Sequence, residues 1–541
     1  MLHGEVTSPA DNPQAMHCYK FLLSAGLLGA ATFASGAPVP GAFDLLEFSV
    51  EGNTVLSDVE IERAVYPSLG PGKLVGDVEK ARAALEAAYQ QQGYLSVSVV
   101  VPEQSVASGV IRLQVIEGQV ERLKVSGNQY TSRSDLRAEV PEVAPGKVPH
   151  FPTMQAELAQ AGRSADRRVT PLLRPGARLG TMEVELAVED ELPLHGNVEL
   201  NNRQSPDTSL TRLEAGVRYA NLFQKQHSAG LNYVLSPEKP DEVSVLAGFY
   251  AAPLSARRSL SAFIQHSNSN IASAVGSNVV GKGTTLGVRL SFTLPQPAGI
   301  ANFFHSLSIG GDFKDLQETQ NALGADRKET PLRYLPLVAQ YTFSRFGESG
   351  EFAGNLGLVV NTGFGSRDVD CQGVQMEQFA CRRAYARPGF SVVRGDLSYS
   401  KRLLGWEGLA KLDFQMAGQP LVSPEQILAG GMDTVRGYYE GEAAGDVGWR
   451  LRTEVKTPTL FEVGGAGLRL LGFVEGAQVW LNSPLPGQTD EFTLASAGIG
   501  LRLKGDKGGP LVVVDIGQAL KDGPRTRSGT QRVHARLGYE F

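Results

Sequence analysis

The final nine residues, Val533-His-Ala-Arg-Leu-Gly-Tyr-Glu-Phe541, alternate strictly in character. Successive side chains of an extended strand point to opposite faces, so Val533, Ala535, Leu537, Tyr539 and Phe541 share one face. His534, Arg536, Gly538 and Glu540 share the other. The same texture begins near residue 196. It recurs in Leu213–Tyr219, Leu231–Leu235, Val243–Phe249, Leu286–Leu294, Leu335–Phe343, Gly448–Lys456 and Leu494–Leu503. Beyond residue 40 no apolar run approaches the length of about 18–20 residues that a membrane helix needs. A chain that crosses lipid without such a helix must close its strands into a barrel, because every backbone group has to be bonded internally. The pattern therefore predicts an all-β transmembrane barrel over 196–541, with apolar side chains toward lipid and polar ones toward the lumen. About sixteen antiparallel segments fit that span.

The N-terminus reads as an export signal. Lys20 precedes the apolar stretch Phe21–Phe33, and the small residues Ala34-Ser-Gly-Ala37 follow, the layout of a signal peptide over 1–37 in which Met16 is expected to be the true start. Cys18 lies before the apolar run, the wrong place for lipid modification. Between 42 and 190 the pattern is mixed, with two tandem β-α-α-β-β modules. The first spans 42–118 and opens on Phe48–Val50 with Gly52-Asn53. The second spans 119–190 and opens on Val120–Val125 with Gly127-Asn128. A repeat of about 70–75 residues is thus visible. Net charge is −6, and Lys and Arg are scattered rather than clustered, which argues against nucleic acid as a partner.

Several motifs then resemble a known family. The tandem modules look like POTRA domains of the BamA-type superfamily. Leu173–Gly176, Asn221–Phe223 with His227, Ser236–Glu238, Tyr250–Leu254 and above all Asp433-Thr-Val-Arg-Gly-Tyr438 are similar to the TpsB transporters of two-partner secretion, the haemolysin secretion/activation proteins. The resemblance implies α+β POTRA modules in the periplasm of a Gram-negative bacterium, ahead of an outer-membrane barrel of about sixteen strands. It also implies a lumenal loop over about 419–446 carrying Val435, Arg436, Gly437 and Tyr438. The implied partners are a secreted exoprotein, the barrel-assembly machinery during biogenesis, and outer-membrane lipid, with no cofactor. The family's partner motif is F-x-D followed by Gly on a nearby strand. It stands here as Phe473-Val-Glu475-Gly476-Ala477, with Glu in place of Asp and Gly displaced by one position. The plug helix that some members carry before the first module finds no room between residues 37 and 44, so plugging is expected to fall to the lumenal loop.

An Arg in a Gly-rich loop is ordinarily a solvated surface charge. The motif makes Arg436 instead a lumenal residue held by a wall carboxylate, with Glu475 as candidate, because a planar guanidinium binds carboxylate bidentately. Cys371 and Cys381, the two cysteines of the mature exported chain, are expected to form a disulfide closing a surface loop. Leu537, Tyr539 and Phe541 resemble the C-terminal signal that the assembly machinery reads. Catalytic motifs fail. Gly276–Gly283 approaches a phosphate-binding loop but has Gly where Ser or Thr should hold magnesium, and no metal-ligand spacing occurs. The expected function is therefore a non-enzymatic translocation pore. The alternatives are an assembly factor for other barrels and, less favoured, a diffusion porin.

Overall fold

A computed structural model describes residues 41–541 except Asp207, Asn270, Val275, Gly276, Gly281, 321–327, Ser349, Gln372, Asp506 and Lys507. The expected signal peptide and Cys18 fall outside the described residues, as does part of the Gly276–Gly283 run. The chain divides into two compact units, the first ending at Glu117 and the second beginning at Gly118.

In the first unit Glu47–Glu51 lies parallel to Val110–Glu117, which pairs antiparallel with Val97–Val100. The helix Val75–Gln91 places Val78, Ala81, Leu85 and Tyr89 on one face, the spacing an amphipathic helix requires, and all four are buried. A short pair, Phe43–Leu45 with Gly70–Lys73, lies outside the expected β-α-α-β-β order. The second module repeats the plan. Gln119–Ser126 runs parallel to Thr181–Asp190, Arg167–Pro175 pairs antiparallel with it, and helices Arg133–Glu139 and Phe151–Ala161 cover them.

Each module also repeats one device that pins its Gly-Asn turn. Gly127 has a φ of +82°, and a Cβ there would meet the Val188 carbonyl at 2.3 Å; Gly52, at +87°, would meet the Val115 carbonyl at 2.4 Å. Only glycine fits both the conformation and the space. A carboxylate at the end of the last strand then accepts the amides that follow. Asp190 takes the N–H of Gln129 (2.7 Å), Tyr130 (3.0 Å) and Thr131 (2.7 Å), as Glu117 takes those of Thr54 (2.6 Å) and Val55 (3.2 Å).

The barrel is closed. Sixteen antiparallel strands, from Leu194–Asn201 to Gln531–Glu540, pair each with the next, and the last pairs with the first. No helix among the described residues is long and apolar enough to cross a membrane. Outward faces carry exposed apolar side chains such as Val217, Leu231, Leu286, Leu356, Ile499 and Leu537. Inward faces carry ion pairs such as Arg289–Asp312 at 2.7 Å and Arg469–Glu407 at 3.1 Å. The expected run Leu335–Phe343 falls in the strand Leu337–Gly347 apart from its first two residues, and a separate strand, Lys328–Tyr334, precedes it; both pair with Phe303–Gln320. Pro336 has no N–H for the ladder, and its carbonyl accepts the Asp312 amide instead (3.0 Å). The second module meets the turn after Arg212–Leu222, where Gln224 bonds the Ser132 amide and the Tyr130 carbonyl at 3.0 and 3.1 Å. That turn therefore marks the periplasmic rim.

Burial pushes the Asp190 carboxyl up, but the bonds from Gln129, Thr131 and Tyr130 outweigh it and hold the group below its ordinary value. A depressed folded value gives stability that is present above the ordinary aspartate pKa and lost as pH falls through the folded one. Asp190→Asn is expected to destabilise the second module by about 1–3 kcal/mol at neutral pH, a gap that closes on acidification. Pulse proteolysis of the detergent-solubilised protein in urea measures it, and equal resistance at neutral pH would contradict the role.

Candidate functional site

The strand Trp406–Ala417 runs away from the periplasmic rim, and the strand Val447–Lys456 returns toward it. The chain between them leaves the outer end of the wall and folds back into the lumen. Its stem is a hairpin, Ile427–Ala429 with Ala443–Gly445, where the sequence pattern had indicated loop alone. Its tip reaches far enough that Met432, Asp433 and Arg436 line a cavity of about 780 Å³ with Gly405 and Pro458 of the periplasmic turns.

Arg436 is the anchor of that tip, with 1% of its surface exposed. Its backbone N–H donates to Glu475 Oε2 (2.6 Å), while Nε and Nη2 donate to Glu475 Oε1 (2.9 and 2.5 Å). Nη2 also reaches Glu454 Oε1 at 2.7 Å and Nη1 reaches Asp515 Oδ2 at 3.2 Å. The guanidinium lies 3.6 Å from the centre of the Phe473 ring, within range of a cation–π contact. Phe473 and Glu475 are thus brought together with Arg436, and the longer Glu side chain still closes the pair. Three carboxylates around one cation would repel one another, but Arg502 holds Asp515 at 2.7 Å and Arg452 stands 4.0 Å from Glu454.

The neighbouring motif residues fit the same surface. Gly437 has a φ of +97° and packs against the backbone of Gly517, where a Cβ would meet Arg436 C at 2.8 Å. Its N–H donates to His534 Nε2 at 3.1 Å. The Tyr438 hydroxyl donates to the carbonyls of Ala495 (3.0 Å) and Lys521 (2.7 Å). Val435 is buried with Ile427, Ala477, Val479 and Leu494. Leu537, Tyr539 and Phe541 instead face outward, 60%, 57% and 62% exposed, far from this cluster. Cys371 and Cys381 are joined in a disulfide in the outer connection between Gly350–Thr362 and Gly389–Leu403.

Glu454, Asp515 and the pair Arg203–Asp433 (2.5 Å) escaped sequence reasoning. An Asp inside the apolar run Leu511–Ile516 was an available signal. The direction of Glu475 was not available, because Leu471, Phe473, Ala477 and Val479 face the loop while Leu470 and Val474 face lipid. Both faces of that strand are apolar, so no parity shows.

A POTRA fold ahead of a sixteen-strand barrel with an inserted loop defines an outer-membrane barrel of the POTRA class. Residues 43–118 match the POTRA domain, ShlB-type, and residues 180–503 match the haemolysin secretion/activation protein ShlB/FhaC/HecB. The second match covers more than half of the chain, which therefore belongs to that family. Among curated proteins it is similar to the outer membrane transporter CdiB of Escherichia coli, 25% identical over 179 residues, and to that of Dickeya dadantii (strain 3937), 28% over 135 residues. These alignments take in 33% and 25% of this chain and only 30% and 24% of those proteins. The solved fold of CdiB from Escherichia coli superposes with a TM-score of 0.64 at 18% identity, covering 95% of this chain and 93% of that one. BamA from Haemophilus ducreyi lacking POTRA domains 1–3 does so at 0.53 and 14% identity, covering 92% and 100%.

Breaking a buried ion pair from one side costs about 3–5 kcal/mol, because the remaining charge is stranded. Arg436→Ala is expected to raise deuterium uptake at the amides of 431–438 strongly, and Glu475→Asp, shorter by one methylene, to an intermediate degree. Hydrogen exchange read by mass spectrometry checks this. Parental protection in Arg436→Ala would show that the cluster does not hold the loop.

Proposed function

We propose that this chain is an outer-membrane translocation pore that captures an extended exoprotein in the periplasm and passes it to the cell surface. The observation that carries the reading is the lumenal loop held at its tip by Arg436. The loop fills the barrel without belonging to its wall, and polar contacts with the wall can be exchanged for others. A diffusion porin has no use for such a plug or for periplasmic modules. Val97–Val100 and Arg167–Pro175 each pair on one side only, which leaves edges able to take an extended client by strand addition. Family membership supports secretion of a large adhesin-like or haemolysin-like partner. Cys371 and Cys381 keep an outer loop compact, and Leu537, Tyr539 and Phe541 act as the signal for barrel assembly. No catalytic step enters. Folding of the client outside is the driving process, since the chain carries no nucleotide-binding motif to drive transport.

Deleting the chain tests this. Loss of one extracellular protein from the culture medium and cell surface is the expected outcome, whereas broad loss of barrel proteins would make it an assembly factor. Arg436→Ala is expected to lower export of that protein on the order of tenfold, by biasing the loop between two positions. The amount of heat-modifiable barrel should not change. Normal export by this variant would remove Arg436 from the mechanism.

A further inference from the structure

The lumenal loop is held at a second place, its neck, by a residue of the disulfide-closed outer loop. Asp446, the last residue before the strand Val447–Lys456, is fully buried. Arg383 grips it with both terminal nitrogens, Nη2 to Oδ2 at 2.7 Å and Nη1 to Oδ1. The same Nη1 donates to the carbonyl of Leu421 at 2.6 Å, on the opposite side of the neck. Asp446 also accepts the amides of Leu421 (3.0 Å) and Asn482 (2.7 Å). One guanidinium thus ties together the two ends of the loop.

The barrel does not need this tie. Trp406–Ala417 and Val447–Lys456 are already joined by a ladder from Glu407↔Lys456 to Gln415↔Gly448. What Arg383 adds is a fixed direction for the chain as it leaves the wall. A loop swinging out of the lumen must turn at Leu421 and Asp446, and it cannot do so with Arg383 seated. Arg383 is itself held in place. Two residues earlier Cys381 is bonded to Cys371, and the Phe379 ring is buried against Tyr334 at 5.4 Å between centroids. The Gln378 side chain takes the Arg333 amide (3.0 Å) and returns a bond to its carbonyl (2.8 Å).

We infer that Arg383 is a positioning residue, a clasp on the neck of the lumenal loop, and that the Cys371–Cys381 disulfide keeps it seated, so that the outer loop helps to hold the pore shut. This rests on the loop being the plug. The test needs no client, so its failure leaves the secretion reading standing.

The experiment is potassium chloride conductance of the purified full-length protein in planar lipid bilayers. Arg383→Ala leaves the buried Asp446 carboxylate its amide donors but removes the Arg383 charge and its bond to the Leu421 carbonyl, and is expected to shift the closed-to-open ratio by on the order of a hundredfold toward open. Arg383→Lys, which keeps the charge without the two-pronged geometry, should fall between it and the parent. Adding tris(2-carboxyethyl)phosphine to the assembled parent should open it as well, and should do little to a Cys371→Ser/Cys381→Ser variant. Parental closure in Arg383→Ala overturns the clasp. If that variant does not assemble, the reduced parent decides, and unchanged conductance there overturns it.

Discussion

Lipid offers no partner to a backbone amide or carbonyl, and almost everything in this molecule follows from that constraint. The sixteen strands must close, and closure is completed where Gln531–Glu540 meets Leu194–Asn201. That last ladder is short, from Arg536↔Asn201 to Glu540↔Asn197, and side chains extend it. Asn202 accepts the Ala535 amide at 2.8 Å and donates to the Val533 carbonyl at 2.8 Å, while Arg536 grips Glu199 at 2.6 Å. A closed wall with an apolar outside forces its charges inward, and the lumen becomes a place where polar contacts are plentiful.

Such an interior suits a plug that has to leave. An apolar plug packed on an apolar wall would be held by area alone, and withdrawal would expose that area to water. Here the hold is divided. Val435 and Tyr438 pack against the wall, but the decisive contacts are charged. Arg436 sits among Glu454, Glu475 and Asp515, and at the loop's start the buried Glu425 meets Lys314 (2.5 Å) and Arg394 (2.9 Å) of other strands. Buried ion pairs give little net stability but strongly penalise the loss of one partner. Of the wall carboxylates, Asp515 keeps Arg502 and Glu454 keeps Lys456 and Arg452 nearby when Arg436 leaves.

Much of this was legible in the residues. Strict alternation in Val533–Phe541 and its antecedents sufficed for the barrel, because lipid on one side and water on the other write a period of two into the chain. The module repeat was visible through Gly52-Asn53 and Gly127-Asn128, yet the carboxylates that lock those turns, Glu117 and Asp190, were not. Their partners lie some sixty residues away and carry no local signal. Arg436 was singled out by its motif, and its site could be placed only once the fold brought Glu454, Glu475 and Asp515 around it. Arg383 was illegible, since nothing around it in sequence separates a clasp from a surface charge. Pro336 was legible in principle, and it sets the start of the strand at Leu337, two residues later than alternation alone puts it.

An exoprotein that travels through the lumen must meet side chains on the inward faces of the wall. Ser398 and Lys411 stand opposite each other on neighbouring strands and face inward, whereas Leu397 and Tyr399 face lipid. A photoreactive phenylalanine derivative at each position, with the exported protein stalled in transit by a fused folded domain, reads the path directly. Adducts to the stalled chain from 398 and 411, and none from 397 and 399, are the expected result. Adducts from the lipid-facing pair, or none from the lumenal pair, would contradict it.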